Sequence, residues 1–329
     1  MNKNLLAIAI ASSVFTSQAV AVELYNADGS TFAIGGHVSV ALHDSENGEL
    51  EVISASPRLN FNATHDMGNG FVADAKGEWA LNYLTNGANA FTTRLGYIGL
   101  THEDAGRVVV GTQWAPYYNA VAPTDKPIAY ANDFTYNDHA NLGTGRADKM
   151  VSYTNTLELG ESQSLTLAAG WQGQHVVEKE KVKTIYDTRL QAAISYNVSA
   201  IGLNYAFTTG DVGIHTAESH IFSASYGSWG KGLYLAGVYS MGEYMIEDLA
   251  ETNAMEFLAG YALSNGVNLS VNYEAVTDEV KDSTVYATSA IQAEYKFTPK
   301  FVTFAGYQFG LDGTQEDNNE WKLGVRYYL

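Results

Sequence analysis

The last nine residues, 321–329, alternate strictly between apolar and polar side chains. The apolar set is Trp321, Leu323, Val325, Tyr327 and Leu329, and Lys322, Gly324 and Arg326 fall between them. Side chains alternate across a β-strand with a period of two, so this segment has one apolar and one polar face. Away from water such a strand needs a paired neighbour on each side. The pattern therefore predicts a strand that closes a β-barrel.

The first 21 residues have the pattern of a secretory signal peptide. Lys3 supplies a positive charge, residues 5–14 form a short apolar stretch, and Ala19-Val20-Ala21 is a small-residue cleavage motif. The apolar stretch is about half the roughly 20 residues that a membrane-spanning helix needs. We therefore expect a signal peptide over residues 1–21 and one exported domain over residues 22–329. The alternative is a buried N-terminal helix.

Composition narrows the class of protein. The chain has no cysteine, which excludes a disulfide framework, a thiolate metal site and a cysteine nucleophile. Its mean hydropathy of −0.13 is too low for a helical membrane protein, whereas in a transmembrane barrel half of each strand faces water. The net charge of −18, without a basic stripe, argues against nucleic acid as a partner and favours cations near the protein.

Alternating segments recur along the chain, most clearly at residues 267–275 and 291–297. Two kinds of connection separate them in strict succession. Short turns are expected near residues 66–70, 103–106, 160–162, 198–200, 228–232, 264–266 and 298–300. Longer loops are expected near residues 44–49, 85–90, 115–148, 174–184, 210–218, 242–253, 277–284 and 312–319. Seven short and eight long connections predict an all-β fold, a sixteen-stranded antiparallel transmembrane β-barrel with an aqueous lumen. A secreted β-sandwich is the alternative.

One connection is much longer than the others. It spans residues 115–148 and contains Pro116, Pro123 and Pro127, three of the five prolines in the chain. Long loops in compact folds are usually functional, and proline stiffens them. We expect this third loop to fold inward into the lumen rather than to lie loose on the surface.

Four segments together resemble the general diffusion porins of the Gram-negative outer membrane, a trimeric sixteen-stranded family. They are Val22-Glu23-Leu24-Tyr25-Asn26-Ala27-Asp28-Gly29, Pro57-Arg58-Leu59-Asn60-Phe61, Arg94-Leu95-Gly96-Tyr97-Ile98-Gly99-Leu100 and Gly106-Arg107-Val108-Val109-Val110-Gly111-Thr112-Gln113. The resemblance covers the whole exported domain. It implies a homotrimer in contact with outer-membrane lipid and lipopolysaccharide, and a channel for small hydrophilic solutes.

In that family the third loop narrows the pore, and its acidic groups face a ladder of basic groups on the wall. The resemblance assigns the basic side to Arg58, Arg94 and Arg146, with His37 in the place of the family's first-strand lysine. The alternation agrees, because Arg58 is out of phase with the apolar Leu59 and so faces the lumen. A cation facing lipid at mid-membrane would cost roughly 2–4 kcal/mol. Each arginine could instead pair with an acidic neighbour on the wall.

The acidic side is assigned to Asp125, with Asp133 as the next candidate. The Pro-Glu-Phe tip of the family's third loop is absent here, and Lys126 stands beside Asp125. The arrangement of acidic groups therefore departs from the family pattern at this point.

The function implied is passive diffusion through a cation-preferring channel, without a cofactor. A substrate-specific porin, for example for a sugar, is the alternative and would need a run of aromatic side chains on the lumen face. The eight histidines are scattered, and none has metal-ligand spacing such as H-x-x-x-H, which argues against an enzyme. The outer loops leave a second, adhesive role open.

Overall fold

The computed structural model describes residues 21–84, 90–136, 139–179, 182–311 and 319–329. Within them the chain forms one antiparallel sheet of twenty strand segments. The signal peptide predicted over residues 1–21 lies outside the described residues except for Ala21, so that division of the chain stays a prediction.

The strand segments follow the chain in order. Those of the first half are β1 (Val22–Ala27), β2 (Ser30–Ser45), β3 (Glu51–Ser54), β4 (Arg58–Gly68), β5 (Phe71–Leu81), β6 (Phe91–His102), β7 (Gly106–Trp114), β8 (Arg146–Gly160), β9 (Gln163–Gln172) and β10 (His175–Lys179). Those of the second half are β11 (Val182–Tyr186), β12 (Arg189–Val198), β13 (Ile201–Val212), β14 (His215–Ser228), β15 (Lys231–Ile246), β16 (Leu249–Ala262), β17 (Val267–Asp278), β18 (Ser283–Thr298), β19 (Phe301–Gly310) and β20 (Glu320–Tyr328).

Twenty segments make sixteen crossings of the barrel wall. β3 and β4 are two parts of one crossing, since both pair with β2. β10 and β11 pair with each other and extend the hairpin formed by β9 and β12. β1 and β20 pair with different parts of β2 and together make one crossing. The sixteen-stranded antiparallel barrel predicted from the turn count is therefore confirmed.

The barrel closes where its first and last strand segments meet on β2. β20 pairs with β19 on one side and with β2 on the other, where Val325 lies opposite Val40. The backbone N–H of Leu329 donates to the carbonyl of Gly36 at 3.1 Å. β1 then continues along the same edge of β2, with Val22 opposite Ile34. This seam satisfies the edge groups that lipid could not.

The two faces of the wall differ as the alternation predicts. On β12, Leu190 and Ile194 are 59% and 46% exposed on the outer face, whereas Ala193 on the inner face is 3% exposed. Large apolar side chains thus form the outer surface, and small or polar ones face inward. No helix among the described residues is long and apolar enough to cross a membrane.

The seven short turns fall where they were predicted, but three of the long loops are shorter or more ordered than expected. β13 and β14 continue to a turn at residues 213–214, and β15 and β16 to one at residues 247–248. Asp211 pairs with Thr216 at the rim, so the strand ladder extends beyond the apolar band. Hydropathy patterning does not reveal this extension, because the paired side chains there are polar. The loop predicted at residues 174–184 contains the β10–β11 hairpin. Loops near 85–90 and 312–319 lie mostly outside the described residues.

The third loop runs from residue 115 to residue 145 and folds into the barrel. It contains α1 (Tyr118–Val121), a 3-10 turn (Phe134–Tyr136) and α2 (His139–Leu142). Its apolar side chains Tyr117, Ala120 and Val121 are buried against small and apolar residues of the inner wall, namely Ala168, Ala193, Ala206, Ile221 and Val238. The alanines leave room for the loop. The predicted inward fold is confirmed.

Candidate functional site

The three predicted arginines come together on one inner surface of the barrel. Arg58 begins β4, Arg146 begins β8, and Arg94 lies on β6 at a break in the pairing with β5. Arg94, Arg326 and Arg146 all act electrostatically on Arg58. Arg326, on β20, was not predicted, although its position between Val325 and Tyr327 puts it in the polar phase of that strand.

A buried carboxylate lies within this arginine cluster. Glu78 Oε1 accepts a hydrogen bond from Arg94 Nε at 2.8 Å and lies 3.8 Å from Arg58 Nη1. Glu78 Oε2 lies 3.9 Å from Lys76 Nζ. The expectation that an arginine could pair with an acidic wall residue therefore holds for Arg58 and Arg94. The sequence signal was Lys76-Gly77-Glu78, which puts both charges on one face of β5.

His37 faces inward, as predicted, but it is covered by its neighbours. It lies opposite Arg58 in the ladder between β2 and β4, and its side chain is only 5% exposed. The ring packs edge-on against Tyr328 at 5.6 Å. Arg326, Arg58 and Arg94 act on it electrostatically. The imidazole is thus covered and does not form an open rung beside the arginines.

Asp125 is held by two tyrosines of its own loop. Its Oδ2 accepts hydrogen bonds from the hydroxyls of Tyr118 at 2.5 Å and Tyr136 at 2.8 Å. Burial and the Asp125 carboxylate raise the pKa of Tyr118 well above its ordinary value, so this hydroxyl stays a donor. The carboxylate is therefore fixed in place and partly buried.

Asp133 is the more open of the two predicted carboxylates, since its side chain is exposed inside the barrel. Enclosure by the surrounding protein, together with the nearby Asp125 carboxylate, raises the pKa of Asp133 to about 6, while Lys322 acts in the opposite direction. The Asp133 carboxyl therefore changes its charge near pH 6.

Stacked aromatic rings link Arg146 to Asp125. Trp114 stacks on Tyr118 with 3.9 Å between ring centroids, and Tyr118 meets Tyr136 edge-on at 5.3 Å. The guanidinium of Arg146 lies 5.9 Å from the Trp114 ring. Sequence reasoning did not assign these aromatic residues a role, although they flank the long loop and lie within it.

Two glutamates of the wall anchor the loop. Glu256 accepts hydrogen bonds from the hydroxyl of Thr124 at 2.5 Å and that of Thr135 at 2.7 Å, and from the backbone N–H of Thr135 at 3.1 Å. Glu274 Oε2 accepts from the backbone N–H groups of residues 133 and 134 at 3.1 and 3.3 Å. Both glutamates are buried on inner faces of their strands. They hold the part of the loop that carries Asp125 and Asp133.

A second group of wall residues holds the middle of the loop. Gln292 and Tyr130 exchange two hydrogen bonds, at 2.8 and 2.6 Å. The N–H of Ile128 donates to Glu294 at 2.9 Å, and Lys322 Nζ lies 4.0 Å from the centroid of the Tyr130 ring. These polar residues share the inner phase of β18 and β20, which is the signal that could have identified them.

Comparison with known proteins decides the family. A sequence model described as Gram-negative porin matches residues 5–329. This chain belongs to that family. It is 25% identical to outer membrane porin PhoE of Escherichia coli K12, with 97% of each chain covered. It is 26% identical to OmpD of Salmonella typhimurium LT2, covering 100% of this chain and 89% of OmpD.

Solved structures show the same fold at lower identity. An OmpF of Salmonella typhi in complex with daunomycin superposes with a TM-score of 0.80 at 16% identity, covering 94% of this chain and 100% of that one. An anion-selective porin from Comamonas acidovorans superposes with a TM-score of 0.75 at 14% identity, covering 91% of this chain and 100% of that one. Family and fold together show that this porin is an outer-membrane β-barrel of a Gram-negative cell.

The site of this porin contains fixed charges of both signs. The described residues contain no group of three or more His, Cys, Asp or Glu side chains that could hold a metal ion. Opposite charges on two sides of a passage create a transverse field that orders water. The arrangement is therefore suited to discriminating between solutes by charge and polarity.

Proposed function

We propose that this porin is a passive, water-filled channel for small hydrophilic solutes and ions, and that it prefers cations. The observation that carries the proposal is the third loop, which is anchored across the barrel interior by Glu256 and Glu274. A loop held in this way narrows a sixteen-stranded barrel without filling it. The named porin relatives support the same class of function.

We infer that the constriction lies between the arginine cluster and the third loop. Its basic side would consist of Arg58, Arg94 and Arg146, with the covered His37 opposite Arg58. Its acidic side would consist of Asp125 and Asp133. Charges fixed on opposite sides disfavour apolar solutes, because such solutes cannot replace the ordered water.

The preference for cations is supported by the net charge of −18 and opposed locally by the arginines. The fold does not decide the question, since the superposed Comamonas protein is anion-selective. The test is the reversal potential of a single channel in a planar bilayer under a KCl gradient. We expect the reversal potential to have the sign that indicates potassium preference. This preference should become smaller as the salt concentration rises, because salt screens charges beyond about 8 Å at physiological ionic strength. Chloride preference would overturn this part of the proposal.

A sugar-selective channel is the second candidate, and the stack of Trp114 on Tyr118 is the observation in its favour. One stack is less than the run of aromatic side chains that would guide a sugar along the lumen. Titrating the conductance with maltotriose separates the two functions. Saturable block at millimolar concentration would favour the sugar channel, and unchanged conductance would favour general diffusion.

We also propose that three copies assemble in contact with outer-membrane lipid and lipopolysaccharide. A Vibrio cholerae OmpT described in a trimer form superposes with a TM-score of 0.69 at 16% identity. On the outer face here, Phe61 packs against Phe32 and Trp79 at 6.0 and 5.9 Å, a cluster that could support an interface. Light scattering in detergent should give three times the mass of one chain. A single-chain mass would contradict assembly.

A further inference from the structure

A cavity of about 830 Å³ is lined by the third loop and by wall strands other than β4, β6, β8 and β20, which carry the arginine cluster. Its walls are the inner faces of β13 to β16 near the turns at residues 213–214 and 247–248, together with the β10–β11 hairpin. The predicted constriction residues do not line it. The volume lies within the range of about 300–1,000 Å³ typical of small-molecule sites.

The floor and one side of the cavity are held in place. The floor includes Phe134, which stacks on Tyr286 at 4.6 Å, and Thr135, which Glu256 anchors. The hairpin side is held at its base, where Lys149 Nζ donates to the carbonyl of Gln174 at 2.8 Å. Thr184 and Tyr186 of the hairpin face the cavity. A cavity with such supports does not depend on a ligand to form.

Tyr244 has an unusual backbone at the edge of this cavity. Its φ is +50°, in the left-handed region, and pairing of β15 with β16 breaks between Glu243 and Ile246. A bulky non-glycine residue rarely adopts this conformation, and such residues are concentrated at functional sites. The Tyr244 ring lines the cavity and stacks on His215 with 4.0 Å between centroids and 13° between planes. The result is a flat aromatic platform.

The Asp, Glu, Lys and Arg side chains that line the cavity among the described residues are all acidic. Glu247 and Asp248 line it, and no Lys or Arg does so among the described residues. Ser219, Ser240 and Thr252 add hydroxyl groups to the lining. Carboxylates at the rim and an aromatic face attract a cation that has a flat ring. An anion of the same shape would meet repulsion.

We propose that this cavity binds cationic solutes that carry a planar aromatic ring, on the loop side of the constriction. The ring stacks on the platform of Tyr244 and His215, and the positive charge faces Glu247 and Asp248. This proposal rests on the proposed channel function in one respect, which is that solutes enter the cavity from the water outside the barrel. Binding itself does not require that the channel conducts.

The test uses ethidium as the probe and its fluorescence anisotropy with the full exported chain in zwitterionic detergent. We expect saturable binding that weakens about threefold to tenfold in Tyr244→Ala, because the substitution removes the ring on which the probe would stack. Tyr244→Phe should retain binding because it keeps the ring. Tyr239→Ala is the matched control, because Tyr239 lies on the same strand but faces outward, 39% exposed.

Equal affinity of the wild type and Tyr244→Ala would overturn the site, and so would equally tight binding of the anionic 1-pyrenesulfonate. Native heat-modifiable migration of Tyr244→Ala on gels shows that the variant is folded. Single-channel recordings separate the two proposals. If the wild type conducts normally and ethidium binds Tyr244→Ala as tightly as the wild type, the cavity site is wrong and the channel function stands. If ethidium binding depends on Tyr244 but the barrel does not conduct, the channel function is wrong and the cavity site stands.

Discussion

Glu78 is the residue that most alters the interpretation of the arginines. It is buried, it accepts a hydrogen bond from Arg94, and Arg58 and Lys76 both lie within 4 Å of its carboxylate. Charge-assisted hydrogen bonds of this kind are strong and fix both partners. Two of the basic groups are therefore held by the wall, and their net field is smaller than three free arginines would produce.

Replacing Arg94 with Gln should raise the preference for cations. The change removes a positive charge and leaves Glu78 without its closest partner, so the local potential becomes more negative. The reversal potential under a KCl gradient should move toward that of potassium, and conductance should rise. Lys231→Gln is the charge-matched control, because Lys231 is exposed at the start of β15. An identical shift in both variants would refute a local role for Arg94.

Acidification should weaken the preference for cations through Asp133. Its raised pKa of about 6 means that the carboxyl is charged above pH 6 and neutral below it. Between pH 7 and pH 5 the lumen therefore loses one negative charge, and the reversal potential should move toward that of chloride. Asp133→Asn should abolish this step, whereas Asp125→Asn should keep it at a lower pH, because Asp125 helps to raise the pKa of Asp133. If only Asp125→Asn removes the step, the acidic side of the constriction belongs to Asp125.

Among the elements, the third loop depends on the wall for its position. Its helices are only four residues long and could not be stable alone. Small alanines on β9, β12 and β13 make space for it, and buried acidic and amide side chains on β16 to β18 accept its backbone N–H groups. The loop is therefore part of the barrel interior rather than a separate lid.

Glu256→Ala should loosen the loop without opening the barrel. Three hydrogen bonds from Thr124 and Thr135 lose their acceptor, at about 1–3 kcal/mol for each buried donor left unpaired. Single-channel current should become noisier, and a protease should cut the loop faster. Glu256→Gln should be intermediate, because its amide oxygen still accepts. Glu251→Ala, exposed on the outer face of the same strand, is the control, and equal noise there would contradict the anchor.

For the molecule as a whole, stability depends on closure. β20 is paired on both sides along its length, and β1 and β20 share one edge of β2. A barrel without open edges is the arrangement that satisfies backbone groups in lipid, where each unpaired group costs several kcal/mol. The seam is thus the place where the barrel is most sensitive to shortening.

Deleting residues 327–329 should prevent stable insertion. The deletion removes the pairs of Tyr327 with Phe301 and Val38 and that of Tyr328 with His37. We expect little protein in the outer-membrane fraction and no heat-modifiable band on SDS gels. Tyr327→Phe keeps the ladder and should behave as the wild type. Wild-type levels of the truncated chain would show that the seam is dispensable.

The sequence by itself determined the strand count, the short turns, the inward face of Arg58 and the inward course of the third loop. These follow from local rules: the period of two, turn chemistry, and the cost of placing charge in lipid. The family resemblance added Arg94, Arg146, His37, Asp125 and Asp133 as candidates. Each of those inferences needs only neighbours along the chain or a matching motif.

Tertiary structure alone decided which side chains meet. The contact of Glu78 with Arg94, the packing of His37 against Tyr328, and the hydrogen bond from Thr124 to Glu256 join residues from 16 to 291 positions apart. The tight turns at residues 213–214 and 247–248 likewise depend on pairing at the rim. Strand register and barrel closure bring these groups together, and neither is encoded in the periodicity of any one segment.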